Sequence, residues 1–472
     1  MALCGVKFKA HPTQEQKRVL SQWMGAGRFI YNAKVVEHEY FRTFKAHSLA
    51  LVGVPVPVDQ CYAQFKTEQT LWLKDIPSQV LRNAAYRWRE AYQRHLVGLA
   101  ERPVRKRKGN RDSVWLTSEL FELNPQRDEQ TGDVTGYQLV IGTKTNQIGA
   151  LSFDARREFQ SPHSITVSRR NGEYFVSFNY EDGQEVATEE ELQAEYSQMD
   201  EASLDPITVG LDRGVVIPVY PSEGEPFEFT PEQKHTLDHC DRHINRQQKR
   251  LSRQVKGSRR RERTRRKLAR YHARKADVRR DFAHQTSHRL ATSDHQIFVV
   301  EDLKIKNMTA SPTPQPTADG SGYEPNGATA KAGLNRSILA VAWGMVVTFL
   351  KYKALRRRKL VISVSPHQSS QECARCGHIH PANRVSQSQF HCQRCGHIAN
   401  ADHNGAQVVK KRGMAILKTK SAGASPPSSP AGTRGSARRG SIRRRKDSRP
   451  AQPATLTGDG QAEARTAQDQ PM

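Results

Sequence analysis

Two buried strands that each end in an acid, a long helical crossover between them, and a third acid opening a late helix predict an α/β fold of the ribonuclease-H-like class. The first strand is ITVGLD, residues 207–212, closed by Asp212. The second lies in HQIFVVED and is closed by Glu301. The third acid is Asp402 in NADHNGAQ, where a helical pattern begins. Short unbroken runs of β-branched and apolar residues are what a strand covered on both faces requires.

The remaining elements follow in chain order. GVKFKA, residues 5–10, is a short strand. From Gln14 to about Phe41 the pattern is helical, with Leu20, Trp23, Met24, Phe29 and Val35 on the apolar side. A second helical block covers 78–100 and stops before Pro103, whose ring fixes φ and removes a donor. RPVRKRKGNRDS is a basic loop. SVWLT, YQLVIG, GALSF, SITVSRR and GEYFVSFNY then read as strands, with Asn171-Gly172 and Asp182-Gly183 as hairpin turns or strand ends. Residues 184–205 are acidic and read as an exposed helix or linker. After ITVGLD, GVVIPVYP and EPFEFT look like the next two strands of a meander. A basic helical region spans about 232–292, a Pro/Gly/Ser/Thr-rich loop 309–332, a buried helix about 335–357, and LVISVSP is another strand. Beyond Gly413 the composition lacks the apolar content needed to offset ordering, which predicts disorder.

Composition narrows the partners. The 472 residues carry 74 Lys plus Arg against 48 Asp plus Glu, a formal net charge of +26, which points to a polyanion, nucleic acid first. Of seven cysteines, Cys4, Cys61 and Cys240 are isolated, so no disulfide framework is visible and a reducing cytosol is expected. The N-terminus has no signal-peptide core. The longest apolar run, ILAVAWGMVVTFL at 338–350, is shorter than the roughly 18 residues a membrane span requires, so no membrane role is expected.

The strongest local signal is a pair of Cys-x-x-Cys motifs. Cys373 and Cys376 are separated by fifteen residues from Cys392 and Cys395, within the spacing of a four-thiolate zinc ribbon. Each pair is followed by Gly-His, and glycine lets the chain turn so that backbone amides approach the sulfurs. A closed four-coordinate site is structural.

Singly, each acid has an ordinary explanation. Asp212 suits a turn before Gly214, Glu301 a strand reaching the surface, and Asp402 a helix N-cap. Together they predict a carboxylate cluster. Like charges so close persist only with cations between them, and two Mg²⁺ ions about 3.5–4 Å apart can activate water and stabilise the leaving oxygen of a phosphodiester. The basic region supplies candidates for backbone contacts: Arg253, Lys256, Arg259, Arg260, Arg261, Arg263, Arg265 and Arg266. A one-signed run favours phosphate binding over a merely solvated face. Leu251, Val255, Leu268, Val278 and Phe282 recur near helical spacing and would seat these helices on the core.

Several segments jointly resemble a known family, TnpB, the OrfB-type proteins of bacterial insertion sequences, related to type V CRISPR nucleases. The likeness runs from about residue 6 to 412. It rests on FKAHPTQEQKRVLSQWMGAGRFIYNAKV, on the basic block starting LSRQVKGSRRRERTRRKLARY, on VVEDLKIKNM and NRSILAVAWGMVVTFLKYKA, and on the ribbon through NADHNGA. The resemblance implies an RNA-guided DNA endonuclease of a mobile element, with Asp212, Glu301 and Asp402 as Mg²⁺ ligands and Zn²⁺ on the four cysteines. It implies a wedge β-barrel over 1–185 with a helical recognition insert at about 14–103 and a linker at 186–205. A RuvC-like nuclease domain would occupy 206–412 with the zinc ribbon at 366–400, and a disordered basic tail 413–472. The partners implied are a guide RNA and target DNA, double- and single-stranded, with no small-molecule substrate, in a prokaryotic cytoplasm at the nucleoid. The alternatives are a nuclease-inactive guided DNA binder and a transposase that joins DNA ends itself. Arg213, Gly405 and the long 309–332 loop depart from the family pattern without removing a ligand.

Overall fold

The computed structural model describes residues 3–421 except 48–55, 57, 110, 128–129, 133, 144–145, 156–158, 318–320 and 325. The expected disorder beyond residue 421 therefore lies outside the described residues.

The N-terminal half is built from β1 (Leu3–Ala10), α1 (Gln14–Ala46), α2 (Ser78–Leu96), β2 (Arg111–Thr117), β3 (Phe121–Arg127), β4 (Val134–Gly142), β5 (Gln147–Leu151), β6 (Ser164–Arg170) and β7 (Glu173–Glu181). One antiparallel sheet has the order β1-β7-β6-β2, a second β3-β4-β5. They join where the His11 N–H donates to Ser152 O at 2.8 Å and the Asp154 N–H to Lys9 O at 2.9 Å. Thr13 caps α1 in a reciprocal box with Gln16, whose amide also donates to the β5 carbonyls of Ile148 (3.2 Å) and Ala150 (2.8 Å). Leu20, Trp23, Ile30, Leu81, Leu116, Leu139 and Val176 share one core. The sequence reading missed β3, because FELNPQR lacks clean alternation and contains Pro125; an edge position tolerates the missing donor.

The second half contains α3 (Glu189–Ser197), α4 (Glu201–Leu204), β8 (Thr208–Asp212), β9 (Tyr220–Pro221), α5 (Pro231–Ser252), α6 (Arg259–Thr292), β10 (Ile297–Glu301), α7 (Ile305–Met308), α8 (Ala328–Ala340), α9 (Trp343–Leu355), β11 (Leu360–Val364), β12 (Gln389–His391), β13 (Ile398–Asn400) and α10 (Ala401–Ser421). Its sheet has the order β11-β10-β8-β9, the first three strands parallel and β9 antiparallel. α10 lies against β8 so closely that a Cβ at Gly210 would sit 2.1 Å from Ala406 O.

Four expectations need correcting. Residues 186–205 are not a free linker: Thr188 and Asp200 cap α3 and α4, and Leu192, Tyr196 and Leu204 are buried with Val299, Ile362, Val409 and Leu417. The meander shrinks to two-residue β9 and an isolated Val219–Phe227 bridge, since Pro218 and Pro221 cannot donate to a ladder. The helix at 335–357 is two, broken at Ala342 with φ of 63°, and α8 takes over the end of the 309–332 loop. The 28-residue stretch Ala328–Leu355 is apolar enough to cross a membrane by length and composition. Each helix, however, has 13 residues, about 20 Å against a bilayer core of about 30 Å, and Trp343, Val346 and Leu350 of α9 are buried in the core. Finally, α10 does not stop at 412. It continues to Ser421 through Gly413, where a Cβ would come within 2.3 Å of Val299 Cγ2.

Candidate functional site

Asp212 and Glu301 are the last residues of β8 and β10, adjacent parallel strands in which Leu211 is registered with Val300. Both carboxyls therefore emerge at the same edge of the sheet, the usual ligand-binding end of a parallel sheet. Asp402 enters from the first turn of α10, which packs on β8. It is not the cap: Asn400 Oδ1 accepts from the Asp402 N–H (2.9 Å) and the His403 N–H (3.2 Å). One turn along, a Cβ at Gly405 would meet Asp212 Cγ at 3.5 Å, an ordinary contact, so glycine gives the carboxyl room without being required there.

The Asp212 carboxyl feels both other acids. Burial, then the charge of Glu301, then that of Asp402 push the Asp212 carboxyl up to about 7. Burial also raises Asp402, opposed by Arg384. The donor set is all carboxylate oxygen, the chemistry that suits Mg²⁺, and a dication would offset the repulsion that adds to burial in raising Asp212.

Three neighbours were not identified as site residues from the sequence, although Arg213 was noted as a departure. The Ser369 hydroxyl donates to Glu301 Oε1 at 2.6 Å. Arg213 is buried, donates to the Glu301 main-chain oxygen across the two strand ends, and leaves its Nε without a hydrogen-bond partner. Arg384 of the cysteine ribbon approaches Asp402 Oδ1 at 3.8 Å. No spacing rule marks Ser369 or Arg384; only the fold brings them here.

The ribbon occupies the connection between β11 and α10. Cys373 Sγ and Cys395 Sγ are 3.7 Å apart, Cys376 Sγ and Cys392 Sγ 3.6 Å. These distances exceed a disulfide bond of about 2.05 Å and match the edge, roughly 3.8 Å, of a tetrahedron with metal–sulfur bonds of about 2.3 Å. Among the described residues, these thiols form a group whose ligand atoms all lie within 4.8 Å of one another. Gly377 and Gly396 have φ of 72° and 70°, closing two equivalent turns. In one, the Cys373 N–H donates to His378 O (3.0 Å); in the other, the Cys392 N–H donates to His397 O (2.9 Å) and the Arg394 N–H reaches Cys392 Sγ (3.4 Å). The ribbon is fastened to α10. Asn404 accepts from the Ala374 N–H (3.0 Å) and donates to Glu372 O (2.8 Å), while Arg412 donates to Ser365 O (2.7 Å) and His367 O (2.9 Å).

α5 and α6 form a basic hairpin. Arg253, Lys256, Arg259, Arg260, Arg263, Arg265 and Arg266 are exposed. Arg261 is half-buried, and its Nη1 donates to Leu251 O and Gln254 O, which closes the hairpin turn. Val255, expected to seat the helices, is 76 % exposed in that turn, whereas Phe282 is buried. Arg265 and Arg266 share Glu262 and line a cleft of about 640 Å³ with Lys108, Arg169 and Arg270. Replacing Arg265 and Arg266 together by Ala is expected to lower the slope of log affinity against log salt by about two, one per lost phosphate contact. An unchanged slope in a nucleic-acid titration would place both side chains in bulk solvent.

Three family models match the chain. One described as "Helix-turn-helix domain" covers residues 1–36, which here are β1 and most of the first turns of the single helix α1. "Probable transposase" covers 188–311, including Asp212 and Glu301, and "Cas12f1-like, TNB domain" covers 343–409, including the four ribbon cysteines and Asp402. The chain is 30 % identical over 415 residues to "Putative RNA-guided DNA endonuclease InsQ" of Escherichia coli (strain K12), covering 87 % of this chain and 92 % of that protein. It is 27 % identical over 376 residues to "Putative RNA-guided DNA endonuclease" of Streptomyces pristinaespiralis, covering 79 % and 80 %. A solved structure, "Cryo-EM structure of CasPhi-2 (Cas12j) bound to crRNA", aligns over 89 % of this chain and 98 % of that one at 12 % identity and a TM-score of 0.41.

Proposed function

This chain belongs to the TnpB family, the OrfB-type proteins of insertion sequences, and from that premise we propose that it is an RNA-guided DNA endonuclease of a mobile element. The observation that carries the reading is the convergence of Asp212, Glu301 and Asp402, from two strand ends and a helix start, around an Asp212 carboxyl raised by burial and by both other acids. These acids would hold two Mg²⁺ ions, which when bound supply an activated water and neutralise the leaving oxygen of a phosphodiester.

The chain's own groups do the rest. Ser369 orients the Glu301 carboxylate, Arg213 ties the two strand ends together, and Arg384 presents a cation toward an arriving DNA phosphate. The sheet and helices from about residue 186 to 421 are read as a RuvC-like nuclease domain. The two N-terminal sheets are read as a wedge barrel, with α1 and α2 as its recognition insert. The exposed arginines of α5 and α6 bind the backbones of a guide RNA and target DNA, double-stranded on arrival and single-stranded once opened.

Zn²⁺ on Cys373, Cys376, Cys392 and Cys395 would brace the start of α10. Changing Cys373 or Cys392 to Ser is expected to cost one zinc per chain and to lower guided cleavage on the order of tenfold, because the ribbon that presents Arg384 and Ser369 loosens. Metal analysis of the purified variants checks this; full zinc content with unchanged cutting would sink it.

The deciding experiment is to purify the chain from its host, sequence the RNA that co-purifies, and assay plasmid cleavage with that RNA, Mg²⁺ and a matching target. Linearised plasmid is expected. Target binding without cutting would favour the guided binder, and joining of transposon ends by this chain alone would favour the transposase.

A further inference from the structure

Beside the arginine cleft lies a second recess that cleavage does not use. α5 carries His235, His239 and His243 at intervals of four residues, which puts them on one helix face. The rings of His239 and His243 are 4.4 Å apart between centroids. His243 in turn lies 4.7 Å from Tyr271 of α6 at an interplanar angle of 18°. Burial first, then His239, Arg246 and Arg242, hold His243 below the usual histidine range, so at neutral pH it is an uncharged flat ring. The recess is about 470 Å³, within the roughly 300–1,000 Å³ of small-ligand sites. His235, Thr236 and His239 wall one side, Tyr271 and Arg274 the other.

Three features say what it takes. His235 and His239 are exposed, so these rings do not serve as core. Arg270 and Arg274 line the recess and would repel a dication, which disfavours a metal. Arg270 also lines the neighbouring cleft with Lys108, Arg169, Arg265 and Arg266, so a track of cations opens directly onto a stack of rings. That combination binds unpaired nucleotides: cations follow the backbone and each ring offers a face to any base. Bases within a duplex are already stacked and cannot use it.

The rings of His239 and Tyr271 are 6.3 Å apart at 60°, so they form a corner and not a sandwich. We infer that this recess accepts a single unpaired nucleobase, stacked on Tyr271 with His239 at its edge and its flanking phosphates on Arg270 and Arg274. The inference rests on the reading that the chain binds nucleic acid, and it specifies which strand form and which residues. A guide RNA and an opened DNA strand both present this chemistry.

The test uses the full chain, freed of bound RNA, and short fluorescent oligonucleotides of one sequence as single-stranded RNA, single-stranded DNA and DNA duplex at fixed salt. Tyr271→Leu should weaken binding of one single strand by about tenfold, as expected for loss of one stacked base, and leave the duplex unchanged. Tyr271→Phe, which keeps the ring, should restore affinity. The larger loss, on RNA or on DNA, identifies the source of the base. Should Tyr271→Leu fail to fold, the exposed His239→Ala carries the same comparison. Equal losses on strand and duplex, or no loss on either strand, overturn the proposal. Plasmid cleavage by the unaltered chain is scored separately, so failure of the nuclease reading and failure of the recess are told apart.

Discussion

Changing Asp212, Glu301 or Asp402 singly to Ala is expected to reduce guided plasmid cleavage to background while guide and target binding persist. Each change removes a donor from a cluster fed by two strands and one helix. Stabilisation of developing charge by a bound metal is worth several kcal/mol; about 4 kcal/mol corresponds to a loss of roughly a thousandfold. Binding should survive because most of the proposed phosphate contacts lie on α5, α6 and the N-terminal half, and Arg384 is retained in all three variants. Removing a buried acid also removes repulsion against DNA, so binding can tighten slightly. The measurement is cleavage with Mg²⁺ beside a gel shift at matched salt. Residual cutting near the parent rate in any one variant would remove that residue from the site.

A comparably large effect on stability is expected from Gly210→Ala. Gly210 lies in the middle of β8, where a Cβ would be 2.1 Å from Ala406 O and 2.5 Å from Lys410 N, both backbone atoms of α10. Backbone cannot swing aside like a side chain, so the helix must lift from the sheet. Overpacking costs about 1–3 kcal/mol and occasionally more, or several degrees of melting temperature in a domain of this size. Lifting α10 also carries Asp402 away from Asp212, so cleavage should fall further than melting alone explains. Thermal unfolding and cleavage measured together check both parts. A variant that melts with the parent and cuts normally would mean that α10 does not approach β8 this closely.

The sequence was most informative where local chemistry and pattern coincide. ITVGLD and QIFVVE are strands because apolar residues fill both faces, and their terminal acids mark where the chain leaves the sheet. The cysteine pairs were legible because a thiolate site needs those turns, and Gly377 and Gly396 adopt the positive φ that the turns require. What stayed hidden depends on distant contacts. FELNPQR becomes β3 only because β4 pairs with it. The acidic stretch 184–205 looked solvated because its glutamates outnumber the few residues, Leu192, Tyr196 and Leu204, that dock it. Arg384 and Ser369 reach the acids through the ribbon and the loop after β11, a juxtaposition no residue period encodes. Arg261 belongs to a run of arginines identical in type, and only its two carbonyl partners separate it from those facing solvent.

The position of α10 has a consequence for how the chain matures. β8 is covered on one face by a helix that begins roughly 190 residues later, and Asp402 arrives with that helix. At a synthesis rate of about 5–20 residues per second, a ribosome needs on the order of 10–40 seconds to travel that far. Until then Val299 and Ile362, which pack with Val409, Met414 and Leu417, have no α10 to cover them, so the nascent sheet is an aggregation-exposed intermediate dominated by non-local contacts. The N-terminal half, by contrast, closes its core within the first 181 residues and is free to fold first. The exposed arginines of α5 and α6 are thus synthesised long before Asp402. A chain interrupted anywhere ahead of residue 402 would lack Asp402 and so, on the proposed site, would be unable to cut.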